Sequence, residues 1–297
     1  MNVRTALVRL ASFTGFLLIF THGSLAQVFF TEGFESGNGN TFSQSPYGTI
    51  EGNSQYSVQQ NVVANGQYSL QHHFNQGQSG TFSTYQFGDS PNVLGTDHYF
   101  DIYIQFKLRY SDGYDFSAGN NKIMIIGTQD SRRHDTICCN PWVSHYITLY
   151  AHATGADAFF DVEGNNKRAP SGQWFSLAPN LVGSSQFTID RNRWYTIEVH
   201  LQPNTGSPAT GLFEMWIDGT QITRRTDVLY RIPWDGSVGT DPGYGINFVM
   251  LSHYINNTAP QAQDMFYDDI ILSTRYIGIN DSNRIPPDPP YNLRVVQ

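Results

Sequence analysis

Charged residues and cysteines are both scarce in this chain of 297 residues. Asp, Glu, Lys and Arg together make up 14% of the sequence, and the formal net charge is −8. A protein with this charge has no overall attraction for polyanions, so nucleic acid is not an expected partner. The two cysteines, Cys138 and Cys139, are adjacent. They lack the paired spacing of a zinc site, which leaves a strained vicinal disulfide, pairing elsewhere or free thiols.

Long apolar runs are also missing, with one exception near the start of the chain. Residues 11–20 are apolar, follow Arg4 and Arg9, and precede a small-x-small tripeptide at residues 24–26. This arrangement is typical of a secretory signal peptide, whereas a membrane-spanning helix needs about 20 apolar residues. We therefore expect residues 1–26 to be a signal peptide, the mature protein to be secreted, and no membrane association after cleavage. An uncleaved anchor is the alternative.

Helical periodicity is absent as well, and the chain instead alternates apolar and polar residues. In residues 98–110, Ile104 and Phe106 fall on one face, and Gln105 and Lys107 fall on the other. A period of two is the signature of a strand with one buried face, and such strands belong to antiparallel sheets. The same alternation recurs in residues 68–75, 194–202, 212–218 and 264–273.

The position of a residue in this alternation predicts the direction of its side chain. The odd-numbered residues of 194–202, from Tyr195 to Leu201, are expected to point inward. In residues 68–75, His73 has the polar parity, whereas His72 has the parity of its apolar neighbours and is expected to face the core.

Turn residues separate the alternating segments and set the domain organisation. Asp112-Gly113 and Asp218-Gly219 are typical tight turns, and many strands without helices indicate a sandwich or barrel. Residues 27–279 are predicted to form one domain, since β-sandwiches of ~200–250 residues occur as single units. Residues 280–297 begin as a Pro-rich linker and end in a segment that resembles the start of a fibronectin type III domain.

Several segments together resemble one known family. They are RWYTIEVHLQPNT at 193–205, GLFEMWIDG at 211–219, GINFVMLSHYIN at 245–256, YDDIIL at 267–272, and the stretch 115–127 that ends in KIMIIG. The chain is similar in these places to the concanavalin A-like jelly roll of the alginate and glucuronan lyases. The resemblance implies an all-β, two-sheet antiparallel jelly-roll sandwich.

The same resemblance implies a polysaccharide lyase that cleaves an acidic, uronate-containing glycan by β-elimination. This reaction needs a group that offsets the charge of the C5 carboxylate, a base for the C5 proton, and an acid for the leaving oxygen. His and Tyr side chains suit the last two roles. His73, Tyr146 and Tyr254 are the catalytic candidates, and Tyr254 lies in the segment that resembles the strand with the catalytic tyrosine of several lyases.

Other polar residues on strands or in loops are candidates for substrate binding, since Arg matches carboxylates and polar side chains match sugar hydroxyls. A solvated strand face or loop is the alternative for each of them. They are Gln71, Gln105, Lys107, Arg109, Tyr150, His152, His253, Arg132 and Arg133.

Carboxylates near both ends of the predicted domain suggest a structural calcium ion. The segment 32–37 and Tyr267-Asp-Asp269 resemble the paired termini of jelly-roll carbohydrate-binding modules, which implies Glu35 and Asp268 as calcium ligands. No organic cofactor is expected. The sequence carries no signal for a particular oligomeric state.

Two other functions fit the same residues. The strand pair that ends in Trp-Ile-Asp-Gly at 216–219 also resembles laminin-G-like and lectin-like domains, which implies a non-catalytic carbohydrate-binding or adhesion module. A structural domain of a larger surface protein is the third possibility. A glycoside hydrolase of this fold would show carboxylates at alternate strand positions, and Asp161-Val-Glu163, before a Gly-Asn turn, is the nearest approach.

Overall fold

The computed structural model describes residues 28–39, 56–87, 98–129, 143–166, 174–176, 187–204, 209–230 and 245–279. These ranges contain strands and turns and no helix; accordingly, none of them holds a helix able to cross a membrane. The strands are β1 Val28–Glu32, β2 Tyr56–Gln59, β3 Ser69–Phe74, β4 Gly80–Gln86, β5 Ile102–Tyr110, β6 Asn121–Gln129, β7 Val143–Thr154, β8 Asp157–Asn166, β9 Trp174–Ser176, β10 Tyr195–Gln202, β11 Gly211–Ile217, β12 Thr220–Val228, β13 Phe248–Ile255 and β14 Gln263–Ser273.

The strands form two antiparallel sheets, as the alternating sequence predicts. The eight-stranded sheet has the order β12-β11-β10-β5-β14-β3-β2, and β1 also pairs with β14. The six-stranded sheet has the order β4-β13-β6-β7-β8-β9. Strands that are distant along the chain are therefore neighbours in both sheets, and the all-β two-sheet fold class is confirmed.

The core lies between the inner faces of the two sheets. On β10 the inward residues Tyr195, Ile197, Val199 and Leu201 are all 0% exposed, which confirms the predicted parity of this strand. On β3, His72 is likewise fully buried, and burial lowers the pKa of its imidazole to about 3, so the ring is neutral.

One hydrogen bond joins the sheets through this core. The hydroxyl of Tyr267 on β14 donates to the carbonyl oxygen of Ile123 on β6 at 2.6 Å. Burial raises the pKa of Tyr267 well above its usual range, so the phenol keeps this proton. A buried polar atom is thereby satisfied across the sandwich.

A bulge in β6 decides which of its residues leave the core. The register between β6 and β7 shifts between Lys122 and Met124, and Ile123 and Met124 are both fully buried although they are adjacent. A bulge inserts an extra residue and re-aims the side chains beside it. Lys122 consequently lies on the opposite face of the six-stranded sheet.

The two ends of the chain and the cysteine pair are not covered by this description. The predicted signal peptide (1–26), the linker with its fibronectin-like end (280–297) and Cys138-Cys139 all lie outside the described residues. The predictions for these segments stay predictions.

Candidate active site

One row of polar and aromatic residues crosses the outer face of the six-stranded sheet. The register pairs Tyr254 of β13 with Lys122 of β6, Lys122 with Tyr150 of β7, and Tyr150 with Asp161 of β8. Paired residues on neighbouring strands have Cβ atoms about 5 Å apart. We call these four residues the lysine row. Successive side chains of a strand point to opposite faces. Leu149 of β7 points into the core, so its neighbour Tyr150 and the residues paired with it lie on the outer face.

Lys122 is the cation at the centre of the row. Its Nζ lies 4.9 Å from the ring centroid of Tyr254, within range of a cation–π contact. Burial lowers the pKa of Lys122, and the nearby Glu163 acts in the opposite direction. A half-buried ammonium beside an aromatic ring is well placed to meet a carboxylate, because desolvation strengthens such a pair.

Glu163 adds a carboxylate next to the row. It accepts a hydrogen bond from the Tyr150 side chain, and burial followed by the charge of Asp161 raises its pKa. The Tyr150 hydrogen bond and the charges of His152 and Lys122 oppose this rise. The Tyr150 phenol thus has Lys122 on one side and a proton acceptor on the other, which is an arrangement suited to proton transfer.

His152 and Asp161 form a further polar pair beside the row. Nδ1 of His152 lies 3.2 Å from a carboxylate oxygen of Asp161, and the imidazole stacks on Phe159 at 4.8 Å between ring centroids. The stacking contact with Phe159 restricts the orientation of the imidazole. The pair borders the Tyr150 end of the lysine row, since Asp161 belongs to both.

The structure brings together three of the residues that the sequence indicated: Tyr254, Tyr150 and His152 all belong to this face. Tyr146 of β7 is opposite Gly127 in the register, and His253 of β13 is opposite Thr81. Both lie on strands of the six-stranded sheet, and their side chains lie outside the described part of the structure, as do the loop residues Arg132 and Arg133.

His73 lies on the other sheet and is not brought together with Tyr254. Nδ1 of His73 is 2.7 Å from Asp264 on β14, and the side-chain amide of Gln71 donates to the same carboxylate at 2.9 Å. Stacked sheets are about 10 Å apart, so the core separates His73 from the lysine row. The sequence showed that His73 has polar parity, but parity does not assign a strand to a sheet.

Three more substrate-binding candidates share the outer face of the eight-stranded sheet with His73, and each is held by a structural partner there. The Gln105 amide donates to Glu198 and to the carbonyl of Gly278 at 3.1 and 2.7 Å. Lys107 lies 3.2 Å from Asp269, and Arg109 donates to Asn192.

The predicted calcium ligands, Glu35 and Asp268, both bind the loop between β2 and β3. Glu35 accepts from the backbone N–H of Gln67 at 3.0 Å, and Asp268 accepts from that of Ala64 at 3.0 Å. Burial, then the charge of Asp269, raises the pKa of Asp268 to about 6. Within the described ranges, no group of three or more His, Cys, Asp or Glu residues could hold a metal ion. Calcium therefore stays a prediction.

The central residue of the site, Lys122, was missed as a site residue from the sequence, as were Asp161 and Glu163. Lys122 precedes the apolar run of β6, where alternation is weak and the bulge resets the parity. Asp161 and Glu163 do alternate along β8, and this was the available signal.

A family model described as polysaccharide lyase matches residues 37–232. No curated protein matches this sequence significantly.

Three solved structures share the fold over most of the chain. An endo-β-1,4-glucuronan lyase from the fungus Trichoderma reesei has a TM-score of 0.57 and 15% identity, covering 84% of this chain and 96% of that one. The alginate lyase Aly36B has a TM-score of 0.53 and 15% identity, covering 86% and 98%. The alginate lyase vAL-1 from a Chlorella virus has a TM-score of 0.52 and 11% identity, covering 83% and 99%. At these identities the similarity confirms the jelly-roll sandwich and no more.

Proposed function

The chain belongs to the polysaccharide lyase family, and from this premise we propose that it cleaves an acidic polysaccharide by β-elimination at the lysine row. The observation that carries the proposal is the position of one cation, Lys122, between two phenols on adjacent strands. β-Elimination needs a positive charge, a base and an acid around one sugar ring, and these three side chains can supply them.

Lys122 is assigned to the C5 carboxylate of the bound uronate. As the C5 proton leaves, negative charge builds up on this carboxylate, and an ammonium group that is already in place stabilises it. The half-buried environment of Lys122 makes that interaction stronger than it would be in water. The additional charge that develops as the C5 proton leaves is the part of this interaction that lowers the barrier.

Tyr150 is assigned to removal of the C5 proton. Its hydroxyl is hydrogen-bonded to Glu163, so the phenol can pass its proton to this carboxylate and use the freed oxygen as the base. The raised pKa of Glu163 makes the carboxylate a better acceptor. The C5 carbanion then expels the glycosidic oxygen, and the C4–C5 double bond forms.

Tyr254 is assigned to protonation of the leaving oxygen. It lies on the far side of Lys122 from Tyr150 in the register, so a sugar ring above Lys122 has one phenol at each side. The same assignment makes Tyr146, which has the parity of Tyr150 along β7, a candidate for sugar contacts.

Uronate polymers are the proposed substrates, and a polysaccharide is the proposed partner. Support comes from the family and from the named activities of the structural relatives, which are lyases of glucuronan and alginate. We also retain secretion as a proposal, because a polysaccharide substrate is normally met outside the cell.

The test is a lyase assay on alginate, polyglucuronate and heparin that follows the ultraviolet absorbance of the unsaturated uronate product. A rise with at least one of these polymers, abolished in Lys122→Met, is the expected result. No rise with any acidic glycan, together with retention on a polysaccharide column, would instead support the non-catalytic binding module.

A structural calcium ion is proposed separately, with Glu35 and Asp268 as its ligands beside the loop between β2 and β3. Asp268 and Asp269 are adjacent carboxylates, and the side-chain amide of Asn65 also contacts Asp269. Burial and, second, the charge of Asp269 raise the pKa of Asp268, and a bound cation would favour its ionised form. We expect thermal unfolding at a higher temperature in calcium chloride than in EDTA. An unchanged melting temperature would count against this ion.

A further inference from the structure

The outer face of the eight-stranded sheet carries a second row of residues. The register pairs Tyr103 of β5 with His200 of β10, His200 with Glu214 of β11, and Glu214 with Arg224 of β12. We call these four residues the histidine row. It has the same form as the lysine row, four side chains on four adjacent strands, but it lies on the opposite side of the sandwich.

The polar atoms of the histidine row are largely occupied by hydrogen bonds to one another and to Asp101. Nε2 of His200 is 2.7 Å from Asp101, and Nδ1 is 2.8 Å from Glu214. Arg224 donates to the other oxygen of Glu214 at 3.0 Å. The ring of His200 stacks on Tyr103 at 3.9 Å. Because both nitrogens are hydrogen-bonded to carboxylates, neither is available to a metal or a substrate, so the row supports the surface rather than acting as a reaction centre.

An aromatic cluster stands on this base. Trp216 of β11 lies 5.1 Å from Tyr276, and Tyr276 lies 6.3 Å from Tyr103, measured between ring centroids. Tyr276 is 48% exposed although it belongs to this cluster. We call Tyr103, Trp216 and Tyr276 the aromatic platform. Tyr and Trp rings grouped at a surface combine an apolar face with a polar edge, which is why these residues are enriched at interfaces.

The segment that carries Tyr276 is fixed in place. Glu198 accepts hydrogen bonds from the backbone N–H groups of Ile277 and Gly278 at 2.8 and 2.9 Å, and Gln105 donates to the Gly278 carbonyl at 2.7 Å. These contacts hold the chain across the outer face of β5 and β10. The platform is therefore preorganised, which reduces the entropy that binding would cost.

We propose that the aromatic platform binds a neutral polysaccharide. Sugar rings present C–H faces that pack on aromatic side chains, and the surrounding Asp101, Gln202 and Gln221 can receive or donate hydrogen bonds to hydroxyl groups. Asp101 is half exposed, and the carboxylates Asp101, Glu214 and Glu198 around Tyr103 outnumber Arg224, the one arginine of the row, so a uronate would meet negative charge here. A neutral glycan satisfies the same hydroxyl-binding groups without this repulsion.

The site is separate from the proposed lyase site, since the two lie on opposite outer faces of the sandwich. The protein would then hold a neutral glycan through one sheet while the other cleaves an acidic glycan. Failure of either proposal leaves the other standing, because the lysine row contributes no residue to the platform.

The test is native affinity electrophoresis of the whole chain in gels that contain laminarin, galactomannan or hydroxyethyl cellulose. We expect at least one of these neutral polymers to retard the protein. Tyr276→Ala and Trp216→Ala should each weaken the retardation roughly five- to tenfold, the effect of losing one or more aromatic stacking contacts. Lyase activity of Tyr276→Ala on a soluble acidic substrate should be unchanged.

Two matched variants make the result specific. Phe100→Ala removes another exposed aromatic ring, 39% exposed, which precedes β5 and has the parity of the core-facing residues of β5. This variant should bind as the unaltered protein does. Lys122→Met should also keep its retardation by the neutral polymer. The proposal is overturned if none of the three polymers retards the protein, or if Lys122→Met abolishes retardation while Tyr276→Ala leaves it intact. Circular dichroism confirms the fold of each variant.

Discussion

Each outer face of this sandwich carries a row of four side chains on four adjacent strands. The two rows differ in how their charged groups are balanced by their neighbours. In the lysine row, the half-buried ammonium of Lys122 lies against the Tyr254 ring. Burial lowers the pKa of Lys122 and the nearby Glu163 opposes this shift, while burial raises the pKa of Glu163 itself. In the histidine row, both nitrogens of His200 are bound to carboxylates within 2.8 Å.

This difference separates chemistry from support. Groups whose pKa values are displaced by burial and by imperfectly balanced neighbours are the ones that can exchange protons with a ligand. Groups whose hydrogen bonds are all made hold a surface in shape and cost free energy when one partner is removed. We therefore expect substitutions in the lysine row to change the reaction rate, and substitutions in the histidine row to change stability.

The largest effect is expected at Lys122. Lys122→Met should lower kcat by about 10²- to 10³-fold, the usual loss when a charge-stabilising group is removed, without lowering the melting temperature, because the methionine removes a partly desolvated charge. Lys122→Arg keeps the cation and should retain part of the activity. Equal inactivity of both variants would indicate that the lysine acts as the base, since arginine cannot accept the proton.

A smaller loss of rate is expected at the Tyr150 and Glu163 pair. Tyr150→Phe should lower kcat by about 10²-fold, as for a general base. Activity should increase with pH as the Glu163 carboxylate ionises. Because burial raises the pKa of Glu163, the apparent pKa of this acidic limb should lie above that of an ordinary glutamate. Glu163→Gln should remove this acidic limb from the pH profile of kcat. A limb that persists unchanged would show that another group titrates.

The histidine row should give the converse result. His200→Ala leaves the partly buried Glu214 with one fewer partner and should lower the free energy of unfolding by about 2 kcal/mol. Urea unfolding measures this change, and kcat on an acidic glycan should remain within about twofold of the original, since a face across the core does not touch the substrate. A large fall in the kcat of a fully folded His200→Ala variant would show that the two outer faces are not independent.

The last effect is confined to acidic pH and is expected at Asp268. Its pKa is about 6 in the folded protein against 3.8 for an unperturbed aspartate, so the folded state binds a proton between these values that the unfolded chain releases. The free energy of unfolding should therefore decrease as pH rises from about 4 to 6. Asp268→Asn should flatten this slope in urea titrations, and so should calcium if it binds there.

The strands were predictable because each carries its own pattern. Alternation along β5 and β10 placed Val199 in the core and His200 outside it, and the same rule placed His72 inside. These are local properties, since successive side chains of a strand point to opposite faces whatever the strand pairs with.

Which residues come together in the site was harder to predict from the sequence, because this depends on pairing between strands that are distant along the chain. His73 and Tyr254 both have outward parity, but β3 and β13 belong to different sheets. Lys122 was obscured for another reason: the bulge after it places Ile123 and Met124 together in the core, which no period of two predicts. Sheet membership and bulges are set by the whole fold rather than by the segment.

The central position of β14 has a consequence for how the protein is made. This strand, the last of those described, is hydrogen-bonded to β1, β3 and β5 inside the eight-stranded sheet, and its Asp264 pairs with His73, 191 positions earlier in the chain. During synthesis the partners of β14 have to wait, with unpaired edges, until residues 263–273 have emerged. Such long-range closure slows folding and exposes strands to aggregation. We expect the domain to acquire its native sheet late, and a chaperone that shields strand edges to raise its yield.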